Sequence, residues 1–153
     1  MLGLKNKNIL VTGGHGFLGQ HLYGVLLRRG APAENIFRPK VEELDLREWE
    51  DCQRAVKGQK IVIHLAANSA GIGYIRDHPA EMFYDNAAMG VSIMHEAWKA
   101  GVEKFVAIGT ICAYPKFTST PFREKDLWNG YPEEINAPYG LAKKMLLVQA
   151  QAY

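Results

Sequence analysis

The chain has 153 residues, enough for one domain with a real core. Hydrophobic residues make up 48% and charged residues 22%, and a net charge of +2 leaves no footprint for nucleic acid and no basic patch for a membrane. No apolar run approaches membrane-spanning length, the N-terminus carries no signal-peptide core, and Cys52 and Cys112 are too few for a disulfide framework, so the sequence reads as a cytoplasmic globular protein.

In chain order, β-type and helix-type segments alternate. Asn8-Ile9-Leu10-Val11-Thr12 is a short apolar run ending in glycines, as a buried parallel strand would be. Leu18, Leu22, Val25 and Leu26 then recur at helical spacing, with Gly30 as a stop. Asn35 to Arg38 reads as a short strand broken by Pro39. Trp49, Cys52, Ala55 and Val56 form a helical face ending near Gly58, which makes Cys52 a core residue. Lys60 to Ala67 is a second buried strand, a long helical pattern runs from about Pro79 to Lys99, and Lys104 to Gly109 is the next strand. A loop carrying Pro115, Pro121, Pro132 and Pro138 leads into a last helix from about Tyr139. Strands alternating with helices imply right-handed βαβ units and a doubly wound parallel sheet of the Rossmann type, covered on both faces, over residues 1–153.

Gly13-Gly14-His15-Gly16-Phe17-Leu18-Gly19 joins the first strand to the first helix. Glycines at 13, 16 and 19 permit a tight turn, close approach of a pyrophosphate and close helix–strand packing, and the helix N-terminus offers free N–H groups to the anion. Dinucleotide binding is the expectation, with Gly13, Gly16, Phe17, Leu18 and Gly19 at the site, whereas His15 reads as a solvent-facing loop residue. Where an acidic residue after the second strand would select NAD, this chain has Phe37-Arg38-Pro39-Lys40. A guanidinium matches a 2′-phosphate and a lysine adds charge, so Arg38 and Lys40 point to NADP, with NAD as the alternative. Asp45-Leu46 is placed at the adenine edge, and Leu65, Ala66 and Ala67 at a strand end that admits the cofactor backbone. Asn86 lies in an apolar helical stretch and either bridges to the backbone near Thr110 or is a satisfied core amide.

Tyr139 and Lys143 lie one turn apart on the last helix and share a face. An ammonium held there is expected to bring a phenol of pKa about 10 toward working range. Thr110 adds a hydroxyl and Cys112 a thiol.

Thr12 to Gly19, His64-Leu65-Ala66-Ala67, the Gly109 to Pro115 run and Tyr139 to Lys143 together resemble an extended short-chain dehydrogenase/reductase of the nucleotide-sugar group, in the NAD-dependent epimerase/dehydratase family. Ile111 to Lys116 and Asn136 to Lys143 are particularly similar to the GDP-L-fucose synthases, epimerase–reductases acting on GDP-4-keto-6-deoxy-D-mannose. The resemblance implies that Tyr139 protonates the C4 oxygen, that Lys143 lowers the Tyr139 pKa and holds the nicotinamide ribose, and that Thr110 hydrogen-bonds the same oxygen. Cys112 is then the base for epimerisation, and Ile108, Tyr139 and Lys143 join the cofactor-binding set. No metal is implied. The resemblance also implies a homodimer through the two long helices, and members about twice this length, whose later part supplies a substrate domain, most sugar contacts and a histidine partner for the cysteine. With that part absent from this chain, the 153 residues are expected to bind NADP without turning over. GDP-mannose 3,5-epimerase or another nucleotide-sugar epimerase that keeps a bound NAD, and a non-catalytic dinucleotide-binding module, are the competing readings.

Overall fold

The structure is a computed structural model that describes residues 3–153. Strands β1 (Ile9–Thr12), β2 (Ile36–Phe37), β3 (Ile61–His64) and β4 (Lys104–Ala107) form one parallel sheet in the order β2-β1-β3-β4. Ile9 pairs with both Ile36 and Ile61, and Thr12 pairs with His64, which pairs in turn with Ala107. Five helices accompany the sheet: α1 (Phe17–Arg28), α2 (Trp49–Val56), α3 (Ile72–Asp77), α4 (Pro79–Lys99) and α5 (Ala137–Ala152).

The continuous apolar runs of β1 and β3 follow from burial on two sides. Leu10 and Val62 point to one face, where they pack with Cys52, Ala55 and Val56 of α2 and with Ile93 and Ala97 of α4. Ile9, Val11 and Ile61 point to the other, where they meet Leu26 of α1 together with Ala31 and Ile36. The doubly wound parallel sheet is thus the observed architecture. Helix α5 lies against α4, and Gly90 of α4 receives the side chain of Leu146.

Three local features differ from the sequence reading. Helix α3 was not anticipated, because six residues containing Gly73 and flanked by Gly71 give too short a period to register, although Ile75 is buried. Helix α5 begins two residues earlier, at Ala137, with Pro138 in its first turn, where a missing N–H is harmless. The sheet is not covered over its whole width: Lys104 and Val106 of β4 are exposed on the face that α1 covers over β1. Among the described residues no helix is long and apolar enough to cross a membrane.

Candidate active site

β1 ends at Thr12, and the chain turns through Gly13 with φ +65°, a conformation that side chains resist. A Cβ on Gly13 would stand 2.8 Å from the Ala66 nitrogen, and one on Gly19 would stand 2.4 Å from the Gly13 carbonyl oxygen. Backbone therefore lies directly on backbone at this corner. The Gly16 N–H closes the turn on the Gly13 carbonyl at 3.1 Å, and no side chain caps the start of α1, so its first amides are free to meet an anion. The turn opens into a cleft of about 860 Å³, lined among others by Phe17, Leu18, Lys40, Asp45, Leu46 and Leu65. Gly13, Gly16, Gly19, Ala66 and Ala67 complete the same wall. A turn packed so closely that Gly13 and Gly19 admit no Cβ, beside amides that no side chain caps, fits a dinucleotide pyrophosphate.

The basic residues divide. Lys40 lines the cleft. Arg38 is held against the turn, its guanidinium 3.6 Å from the Tyr23 ring centroid and donating to the Gly14 carbonyl at 3.2 Å. His15 is exposed yet not idle, since its Nε2 lies 2.8 Å from the Arg38 carbonyl and ties the turn to the end of β2. Asp45 faces the cleft with its carboxylate already engaged: Arg47 grips both oxygens, which holds the Asp45 pKa below the usual range. Arg47 also lies 3.7 Å from Asp85, which accepts from Asn68 at 2.9 Å, so the Asp45 side of the cleft is braced by a charged network the sequence did not reveal.

Asn86 is buried and does not reach the Thr110 turn. Its amide donates to the carbonyls of Asn68 at 2.9 Å and Met82 at 2.8 Å, so it anchors the loop after β3 instead. Ile108 lines a different groove from the cofactor cleft, one of about 930 Å³ shared with Thr110, Trp98 and Lys143.

The chemical residues converge on α5. Thr110 caps a short 3-10 turn, Ile111–Ala113, by accepting the Cys112 N–H at 3.2 Å. That turn presses on α5 at Gly140, where a Cβ would lie 2.1 Å from the Cys112 carbonyl oxygen. Gly140 thus sets the approach of Cys112 to Tyr139, and only the side-chain-free position in the middle of a helical pattern could have signalled it. Lys144 of α5 donates to the Leu127 carbonyl, with its Nζ 4.2 Å from the Trp128 ring centroid, which fastens the proline-rich loop to the helix.

Tyr139 stands above its ordinary pKa and not below it, and Lys143 is not what moves it. Burial, and then the charge of a Cys112 thiolate, push the Tyr139 phenol up from its ordinary value. Lys143 is itself buried, and desolvation pulls its ammonium down to about 8. Its Nζ donates to the Ala66 carbonyl at 3.3 Å, a bond that links the chemical helix to the wall of the cofactor cleft. Cys52 is fully buried and, pushed up to about 12 chiefly by burial, is an inert core thiol.

The sequence model for the NAD dependent epimerase/dehydratase family matches residues 9–153. A GDP-L-fucose synthase from Azorhizobium caulinodans is 31% identical over 91% of this chain and 44% of its own length. A GDP-mannose 3,5-epimerase from Arabidopsis thaliana is 27% identical over 91% of this chain and 41% of its own. A crystal structure of a GDP-L-fucose synthetase from Naegleria fowleri bound to NADP superposes with a TM-score of 0.83 at 26% identity, covering 97% of this chain and 48% of that one. The chain therefore spans under half the length of the curated relatives it matches.

Proposed function

The chain belongs to the NAD dependent epimerase/dehydratase family, and from that premise we propose that it is the dinucleotide-binding domain of a nucleotide-sugar epimerase–reductase. The reaction is the conversion of GDP-4-keto-6-deoxy-D-mannose to GDP-L-fucose with NADPH. What carries the reading is the pressing of the Cys112 turn onto α5 at Gly140, which sets a thiol beside the Tyr139 phenol. One site then offers both a base for carbon acids and an acid for an oxygen.

The chemistry follows from these groups. Polarising a C4 ketone acidifies the protons on C3 and C5. Cys112 thiolate would remove such a proton, the electron pair moves onto the ketone oxygen, and an acid on the opposite face, the histidine that the resemblance implies in the later part of longer members, would return a proton and invert the carbon. Tyr139, kept protonated by burial, is suited to hydrogen-bond the oxygen and to surrender its proton when the C4 alkoxide forms. The Thr110 hydroxyl accepts from the Cys112 amide and still has its own proton to donate to that oxygen. When bound, the dinucleotide supplies the hydride. Gly13, Gly16 and Gly19 would hold its pyrophosphate, Asp45 and Leu46 would lie along its adenine, and Lys143 would hold its nicotinamide ribose. Arg38 and Lys40 support NADPH over NADH. The similarity to a synthetase bound to NADP supports the same choice.

GDP-mannose 3,5-epimerase is the second reading, favoured by the relative of that name. Product analysis on the longest form of the protein its gene encodes separates the two. Net NADPH oxidation on the 4-keto sugar is the expected result. Inversion at C3 and C5 of GDP-mannose without net NADPH loss would establish the epimerase instead, and dinucleotide binding with neither would leave a non-catalytic module. The exposed apolar side chains of Val91 and Trp98 on α4, and of Leu147 and Val148 on α5, support a homodimer through these helices.

A further inference from the structure

His64 closes β3, is 1% exposed, and has no part in the proton transfers described above. Its Nδ1 lies 2.8 Å from the Thr12 hydroxyl oxygen. The same hydroxyl accepts the Ala66 N–H at 3.2 Å, and the Ala66 carbonyl accepts from Lys143 at 3.3 Å. A continuous polar chain therefore runs from a buried imidazole to the ammonium at the chemical site, crossing β1, β3 and the loop that follows it before it reaches α5.

Ala66 is the pivot of this chain. Its N–H is held by Thr12, its carbonyl by Lys143, and its backbone rests on the Cα of Gly13, where no Cβ could fit. A threonine hydroxyl has one proton and two acceptor positions, so accepting from Ala66 leaves its direction to be set by its other neighbour. His64 is that neighbour. Its Nε2 is buried with no partner among the described residues, a cost that an apolar residue in the strand would avoid. The polar contact that holds the imidazole is therefore made through its other nitrogen.

We propose that His64 is a positioning residue: through Thr12 and the Ala66 peptide it fixes the Lys143 ammonium where the cofactor cleft meets the Tyr139 and Cys112 site. The assignment rests on the proposed function only for what Lys143 does once placed there. Burial, and then the Lys143 charge, bring the His64 pKa down to about 3, so the ring stays neutral and sets no second cation beside the ammonium. The other ionisable groups around Lys143 are Tyr139 and Lys144 on its own helix and Cys112 from the 3-10 turn, with Glu103, Tyr114, Glu124 and Tyr153 lining the groove it shares. From α4, Asp85 is committed to Asn68 and Arg47.

The test is NMR on the 153-residue chain labelled with ¹³C at lysine and ¹⁵N at histidine, with Lys143→Arg used to assign the Lys143 signal. Wild-type Lys143 is expected to titrate near pH 8. His64→Leu and Thr12→Val should shift that midpoint by one unit or more, a tenfold change in ionisation constant. Thr12→Ser and His64→Asn, which keep the polar contact, should restore it. Folded His64→Leu and Thr12→Val proteins with the wild-type midpoint would overturn the proposal. Should those two variants fail to fold, the unmutated chain decides: at pH 5 His64 must remain neutral and hydrogen-bonded at Nδ1, and a ring that charges with the ordinary histidines overturns it. NADPH titration of the wild-type chain reads the parent proposal separately, because absent binding with the Lys143 shifts intact would refute the cofactor assignment and leave His64 in its role.

Discussion

The two ends of the site stand on differently built parts of the sheet, its centre and its β4 edge. At β1 and β3 every strand residue but Ile63 is buried, and the glycine turn is fixed by main chain lying on main chain at Gly13, Gly19 and Ala66. At β4 every second residue is exposed, and the chemical groups hang on one helix whose docking depends on Gly140, Leu146, Lys143 and Lys144. The cofactor corner is thus specified by atoms that are absent, and the chemical corner by one such position, Gly140, together with side chains that must stay put. A frame of the first kind tolerates no added carbon. One of the second kind can be tuned, and its proton affinities are set by how deeply each group is buried.

The sharpest break between the two ends is removal of the acid. In the longest form of the protein its gene encodes, Tyr139→Phe should lower turnover by about 10²- to 10⁴-fold, the usual contribution of a positioned proton donor, while dinucleotide affinity measured by calorimetry stays within about twofold, below the ~1 kcal/mol of one typical hydrogen bond. Equal losses in both would show that the corners are not separable. Next, Gly140→Ala forces a Cβ into the Cys112 carbonyl and should cost about 3 kcal/mol in urea unfolding, at the upper end for overpacking. A loss below about 1 kcal/mol would mean that the chemical corner yields more readily than its contacts imply.

At the cofactor end, Arg38→Ala should weaken NADPH binding about tenfold and leave NADH nearly unchanged, the loss expected for one charge-assisted contact. Equal loss for both cofactors would make Arg38 a brace for the turn and nothing more. The smallest effect is a pH dependence. Lys143 titrates at about 8 when folded, against 10.5 when free, so above pH 8 the unfolded chain binds more protons and stability rises with pH. Between pH 8 and pH 9 that gain is about 1 kcal/mol. Cys52, which ionises at about 12 when folded and 9.0 when free, opposes the gain above pH 9, because there the unfolded chain binds fewer protons. The difference between wild type and Lys143→Met across pH 7 to 9 isolates the lysine. A difference that does not change across that range would contradict its burial.

The contrast also explains what could be read from the amino-acid order. The glycine turn, the strand runs and the Tyr139–Lys143 spacing are local patterns, and each lies on the element the pattern implied. Proton affinities are not local. Spacing brought Lys143 to the face of Tyr139, yet its depth sends the ammonium to Ala66 and leaves the phenol raised. Asp45 was visible as a cleft residue and its capture by Arg47 is local, but the contact of Arg47 with Asp85 of α4 comes from 38 residues further along the chain. Asn86 was visible as a buried amide in need of partners, whereas the partner, Asn68, belongs to a loop with no pattern of its own.

Arg38 has a consequence of a different sort. A free arginine side chain carries roughly 2 kcal/mol of rotamer entropy, and a site that must freeze it at the moment of binding loses that much affinity. Here the guanidinium already lies on the Tyr23 ring and against the Gly14 carbonyl before any ligand arrives. Its disorder was given up during folding. Under the function proposed above, a 2′-phosphate would meet a charge that is already stationary, and the choice between two cofactors differing by that one group would be made at little further entropic cost.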